Sequence, residues 1–229
     1  MIARATDLSS MQRFAFIVLL SLCSGRVCAG DHVEPDCVRA TEWKEEANLP
    51  GLIIYSRTRV GSSLKEFKSV GKVDAPSSAV FAVLHDVEAY PSFMPFTLEC
   101  RVLKQVGDCT VAYQRLELPM LSDRDYTLRS EYSETPGRNG ATYRIQWVPA
   151  NDLGPAEKPG VQRVKVCEGG WLIEPDQDGT TRATYSIYTD SGGAIPAFIA
   201  NRASRVAIAR LFAAIRKEVL EPKYASAKN

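Results

Sequence analysis

The chain is short of the residues that carry most enzymatic chemistry. Its 229 residues include two histidines, His32 and His85. His32 falls just past an N-terminal leader and His85 at the expected end of a helix, so neither suits a nucleophile–base pair. There is no Gly-x-Ser-x-Gly, no His-Glu-x-x-His and no glycine-rich phosphate loop. No catalytic residue is therefore assigned, and no cofactor is expected. Charge of one sign is missing too: 28 basic residues stand against 27 acidic ones. Such a balance argues against nucleic acid as a partner and against purely electrostatic attachment to membranes. The cysteines are not spaced as a zinc site, so no metal is assigned. No apolar run reaches the roughly 20 residues a spanning helix needs, and neither internal repeats nor a low-complexity linker interrupts the chain.

The N-terminus, by contrast, has a recognisable pattern. MQRFAFIVLLSLCSGRVCAG places Arg13 ahead of a short apolar run, Phe14–Leu22, and small residues ahead of a cut after Ala29. This is the pattern of a secretory signal peptide over residues 1–29, with Met1 and Met11 both available as starts. An uncleaved anchor is the alternative. Residues 30–229 would then form a single domain in the periplasm or outside the cell. Removing Arg4, Arg13, Arg26 and Asp7 leaves 25 basic and 26 acidic side chains. Cys37, Cys100, Cys109 and Cys167 also remain, an even number that permits two disulfides in three connectivities. Cys100–Cys109 is the favoured pair, because both flank an expected hairpin turn.

Periodicity predicts a short helix over Val38–Asn48, strands over Leu52–Val60 and Lys65–Val73, and a helix after Asp74 with Val80, Phe81, Val83 and Leu84 buried. A hairpin follows at Thr97–Lys104 and Cys109–Leu118. Further strands are expected at 124–133, 141–149, 161–174 and 180–190, then a helix of about 25 residues from Pro196 to Leu220. Gly169-Gly170 ahead of Trp171 predicts a bulge or tight bend. This order suggests an α+β fold in which a curved antiparallel sheet wraps around the long C-terminal helix, leaving an internal hydrophobic cavity between them.

These segments resemble START (steroidogenic acute regulatory protein-related lipid transfer) domains of the helix-grip superfamily. The run from Trp43 through GLIIYSRTRVGSSLKEFKSVGKVDAPSSAVFAVLHD resembles their opening, and PMLSDRDYTLRS their Arg-Asp-aromatic strand. GGWLIEP, followed by TYSIYTDSGGAIPAFIANR, resembles their closing segment. The likeness spans nearly all of residues 40–220. DVEAYPSFMPFTLECRVL is more similar to the coenzyme Q-binding and polyketide-cyclase branch of the same superfamily.

Within LSDRDYTLRS, Arg124 shares the parity of Tyr126, Leu128 and Tyr132, whereas Asp125, Thr127 and Arg129 share the other. The resemblance implies that Arg124 points into the cavity, towards a buried carboxylate or the polar head of a ligand. Glu117 is the candidate partner, with Tyr113 on its face. Many family members carry a second cavity arginine six residues after the first; Arg129 comes five after Arg124, which places it on the opposite face. Tyr126, Tyr143, Trp147 and Tyr185 are the candidate wall of the cavity. If a ligand enters beneath the last helix, the Gly192-Gly193 hinge moves, and Phe198, Ile199, Arg202 and Val206 touch it.

With the leader read as an export signal, the resemblance implies a monomeric, non-enzymatic protein that holds one lipid, a sterol, acyl lipid or similar, and transfers it through transient membrane contact outside the cytoplasm. A cyclase or aromatase using Arg124 with Tyr113 or Tyr126 is the alternative. Export counts against it, since polyketide synthesis needs cytosolic carriers. An interaction domain with a filled core is the third possibility.

Overall fold

The computed structural model describes residues 42–119, 121–192 and 195–225. The leader, the expected cut after Ala29, His32, Cys37 and Gly193 of the hinge lie outside the described residues. The first described element corrects an expectation. Residues 38–41 lie outside the described set, and from Lys44 the chain is not helical but forms β1 (Lys44–Leu49), which pairs with β2 (Leu52–Thr58). The Leu49-Pro50-Gly51 sequence read as a helix stop is the turn of a hairpin. Leu49 faces Leu52, proline fixes the first turn residue, and Gly51 supplies the left-handed second one at φ 67°. A two-residue turn of this kind requires extended chain on both sides.

β3 (Lys65–Val73) pairs with β2 and runs into α1 (Ser77–His85), which begins after Pro76 and buries Ser77, Ala79, Val80, Val83 and Leu84. A 3-10 turn and the short α2 (Tyr90–Phe93) lead to β4 (Thr97–Val106), β5 (Cys109–Leu116), β6 (Asp123–Thr135) and β7 (Thr142–Pro149). The strand expected at 161–174 is broken in two. β8 (Val161–Arg163) pairs parallel with the start of β6, while β9 (Val166–Pro175) lies between β7 and β10 (Thr181–Asp190). The break comes at Val164, whose N–H donates to the Asp125 carbonyl at 2.9 Å instead of continuing β9.

The strands form one sheet of ten in the order β1-β2-β3-β10-β9-β7-β6-β5-β4, antiparallel along that path, with β8 attached to β6. The C-terminal helix α3 (Ala197–Glu218) closes one face, followed by the single turn α4 (Pro222–Ala225). This is the expected α+β helix-grip arrangement. The second half of α3 holds the core, with Ile208, Phe212, Ile215 and Val219 buried at helical spacing. Phe212 enters the sheet at Gly71, where an added Cβ would come within 2.3 Å of its ring. Gly169 is equally confined, by the Ser186 carbonyl and the Trp147 ring. β9 stays in register with both neighbours there, so the glycine pair marks close approach rather than a bulge.

The expected Cys100–Cys109 disulfide does not form. Cys100 sits opposite Gln114 and Cys109 opposite Val106, at different points along the β4–β5 hairpin. By strand rise their Cα atoms are about 17 Å apart, whereas a disulfide needs roughly 4.4–6.8 Å. Cys100, Cys109 and Cys167 are free thiols.

Candidate functional site

β6 divides its side chains between two faces. Register with β5 sets Arg124 opposite Leu116, Tyr126 opposite Gln114 and Leu128 opposite Ala112. Tyr126, Leu128 and Tyr132 pack against the core, so this is the inner face, and Arg124 belongs to it with 3% of its surface exposed. Its Nη1 donates to the Ser122 carbonyl and to Ser122 Oγ (3.2 Å). Its Nε is buried without a hydrogen-bond partner. Among the described residues the guanidinium makes no ion pair. Gln162 of β8 lies beside it in register, and the chain at Gly192, on the way to α3, passes over Gln162.

The expected carboxylate partner is elsewhere. Glu117 is exposed just past the end of β5 and has no side-chain partner among the described residues. Tyr113 pairs with Thr127, not with Tyr126, so it lies on the outer face. There its hydroxyl donates to Asp125 Oδ2 at 3.2 Å. Burial, with the Asp125 carboxylate next to it, pushes the Tyr113 phenol up to about 12. Asp125 and Arg163 form a bidentate pair at 2.7 and 3.1 Å, with side chains 1% and 7% exposed. Arg163 also donates to the Pro155 carbonyl at 3.0 Å. The Arg-Asp motif therefore splits across the sheet, arginine inward and unpaired, aspartate outward and neutralised. Arg129 is exposed on the outer face beside Glu131, as the five-residue spacing implied.

Two phenols accompany Arg124 on the inner face. Tyr126 and Tyr185 keep accessible surface, yet burial pushes both well above the ordinary tyrosine value. Neither hydroxyl has a hydrogen-bond partner among the described residues, in contrast to Tyr90, which donates to the Leu84 carbonyl at 2.6 Å. Trp147 is part-buried 5.9 Å from the Tyr185 ring, and its Nε1 is buried and unpartnered. The Cys100 and Cys167 thiols share this face, each pushed up to about 12 chiefly by burial. Tyr143 is core: 8% exposed, its ring stacked on Phe81 at 4.3 Å.

The helix residues depart from expectation. Phe198, Ile199 and Val206 are 74%, 46% and 47% exposed, and Arg202 is exposed with them. At about 100° per residue Ile199 and Val206 fall on the side of α3 opposite the buried Ile208–Phe212–Ile215–Val219 stripe, with Arg202 and then Phe198 on the flank between. The inward side of this half carries Ala197, Asn201 and Ser204 instead, side chains too small to fill a core. Asn201 Oδ1 accepts from the Lys65 N–H at 3.1 Å, and Arg205 pairs with Glu46 at 3.2 Å, fixing this half along β1 and β3. A groove of about 560 Å³ opens on the outer face over Arg129, Gln146, Gly170 and Ser186, behind the strands rather than beneath the helix.

Sequence reasoning missed Asp125, Arg163 and Gln162. The parity of Asp125 was visible, but no local signal tied it to a residue 38 positions away.

Comparison with known proteins places this geometry. Residues 73–216 match the family model described as polyketide cyclase/dehydrase and lipid transport. An uncharacterized protein of Pseudomonas aeruginosa is 27% identical over 163 residues, 71% of this chain and 79% of that protein. The phosphatidylcholine transfer protein of Mus musculus is 25% identical over 177 residues, 76% of this chain and 81% of that one. The crystal structure of a STAR-related lipid transfer protein fragment from Xanthomonas axonopodis superposes with a TM-score of 0.70 at 25% identity, covering 78% of this chain and 99% of that fragment. The chain belongs to the polyketide cyclase/dehydrase and lipid transport family, and its fold is the START helix-grip fold.

Proposed function

We propose that this protein binds one amphiphilic lipid between the inner sheet face and the first half of α3, and carries it between membranes. The observation that carries the reading is Arg124, a buried guanidinium with no counter-ion among the described residues. An uncompensated buried charge costs several kcal/mol, and a sequence retains it where something else supplies the partner. The unpartnered hydroxyls of Tyr126 and Tyr185 and the small inward residues of α3 indicate where that partner sits. Each methylene buried there contributes roughly 0.8 kcal/mol, so a chain of ten or more carbons leaves only towards another apolar surface. Phe198, Ile199 and Val206, interleaved with Arg202 on the exposed side of α3, form the surface that meets a membrane during loading and release.

The role is that of a carrier rather than a catalyst. His85 lies against Phe81 and Tyr132. Tyr132 is eight residues beyond Arg124 on β6, about 26 Å by strand rise, too far for the two to act on one ligand atom. The protein works as a monomer after export to the periplasm or beyond, with the leader removed near Ala29.

The test is native mass spectrometry of the precursor expressed in a Gram-negative host and purified without detergent. The expected result is a discrete excess of a few hundred daltons, extractable into organic solvent and lost in Arg124→Leu. An empty chain that also fails to bind sterols, acyl lipids and quinones offered afterwards would remove the carrier reading.

A further inference from the structure

The geometry points to a ligand whose head is a monoanion presenting two oxygens, a carboxylate or phosphodiester of a lipid, docked on the Nε–Nη2 edge of Arg124. The inference rests on the carrier reading above and narrows it from any amphiphile to an anionic one.

Charge count is the first argument. The buried charged side chains among the described residues are Arg124, Asp125 and Arg163. Asp125 and Arg163 neutralise each other on the outer face. That leaves a single positive charge enclosed on the inner face, so a ligand carrying one negative charge completes it and a neutral sterol does not.

Stereochemistry is the second. Nη1 is already committed to the Ser122 carbonyl and hydroxyl. Nε is buried and unpartnered, and Nη2 has no hydrogen-bond partner among the described residues. These two nitrogens form one planar edge with parallel N–H groups, the fork that two oxygens on one atom accept together. Ser122 thus fixes the guanidinium so that its side edge, rather than its tip, is offered.

The third argument concerns the head group that does not fit. A zwitterionic lipid could place its phosphate on Arg124, but its ammonium would then need a carboxylate or an open aromatic cage. Among the described residues the inner face has no buried carboxylate. The aromatic rings are closed on one another: Trp171 lies 4.6 Å from Tyr185 and 5.4 Å from Phe212, and Trp147 is pressed onto Gly169.

Isothermal titration of the full chain with hexadecanoate, methyl hexadecanoate, phosphatidylglycerol and phosphatidylcholine tests this. At least one of the two anions should bind tenfold or more tightly than the ester and the zwitterion, and the tighter anion identifies carboxylate or phosphate as the source. In Arg124→Gln the anion-to-ester preference should shrink to threefold or less. Should that variant fail to fold, the anion-to-ester ratio on the unaltered chain decides alone. Equal affinities for anion and ester overturn the inference, as does a preference that survives in folded Arg124→Gln. Tight binding of ester or phosphatidylcholine alone removes the anionic head and leaves the carrier reading standing. If none of the four binds, the anionic head falls, and the carrier reading is then decided by the sterols and quinones of the preceding test.

Discussion

Arg124 and Arg163 sit on opposite sides of the same short stretch of β6, both almost fully buried, and they are treated in opposite ways. Arg163 meets Asp125 in a bidentate pair, receives support from the Pro155 carbonyl, and ties the 150–165 segment to the outside of the sheet. Arg124 has a carbonyl and a hydroxyl from Ser122 and, among the described residues, no carboxylate. One arrangement closes on itself and the other is left open. A buried charge whose partners all come from the protein serves the fold; a buried charge with a free edge holds that edge for something else.

The contrast is sharpest when each arginine is removed. Arg163→Leu leaves the Asp125 carboxylate buried and unpaired, and should cost about 3–5 kcal/mol, read as a lower urea midpoint at unchanged slope. Arg124→Leu should act in the other direction on the empty protein. Deleting a buried group with an unsatisfied donor relieves about 1–2 kcal/mol, so the ligand-free variant should melt higher while lipid binding is lost. If Arg124→Leu destabilised the empty chain as much as Arg163→Leu, the two arginines would both be structural and the comparison would collapse. The smallest stability effect belongs to Phe198→Glu on the exposed side of α3. It should change stability by less than about 0.5 kcal/mol yet slow lipid transfer between vesicles severalfold. An unchanged transfer rate would detach this helix face from the membrane step.

The two halves of α3 repeat the lesson along one helix. Ile208, Phe212, Ile215 and Val219 are buried, and Phe212 fits where Gly71 has no side chain. One turn and more towards the N-terminus, the apolar residues face outward and the inward side carries Ala197, Asn201 and Ser204. Apolar content made Phe198, Ile199 and Val206 in the first half look like ligand contacts. The angle of each residue relative to the sheet decides which half is core and which is free.

Much of the fold was legible because its signals are local. Alternation located β2 to β7 and β10 to within a few residues, and the Pro76 start and apolar stripe located α1. The Val38–Asn48 helix was misread because a Pro-Gly pair ends a helix and turns a hairpin equally well. Only the partner strand β2 separates those readings. The disulfide was misread for a similar reason: closeness to a hairpin turn in sequence says nothing about position along the ladder, and Cys100 lies well away from Cys109 on it.

By itself the sequence determined that Arg124 and Asp125 point to opposite faces and that Arg129 cannot join Arg124, because side-chain direction in a strand alternates with strict period two. It could not determine which residues of β5 share each face, since pairing register is a property of two strands and a slip of one residue exchanges the faces. Hence Tyr113 and Glu117 were placed beside Arg124, whereas Tyr113 lies on the outer face and Glu117 stands in solvent. Tertiary structure alone brought Arg163 to Asp125 across 38 residues and left Arg124 without a counter-ion among the described residues, because the partner of a buried charge is chosen by packing in three dimensions and not by neighbours in the chain.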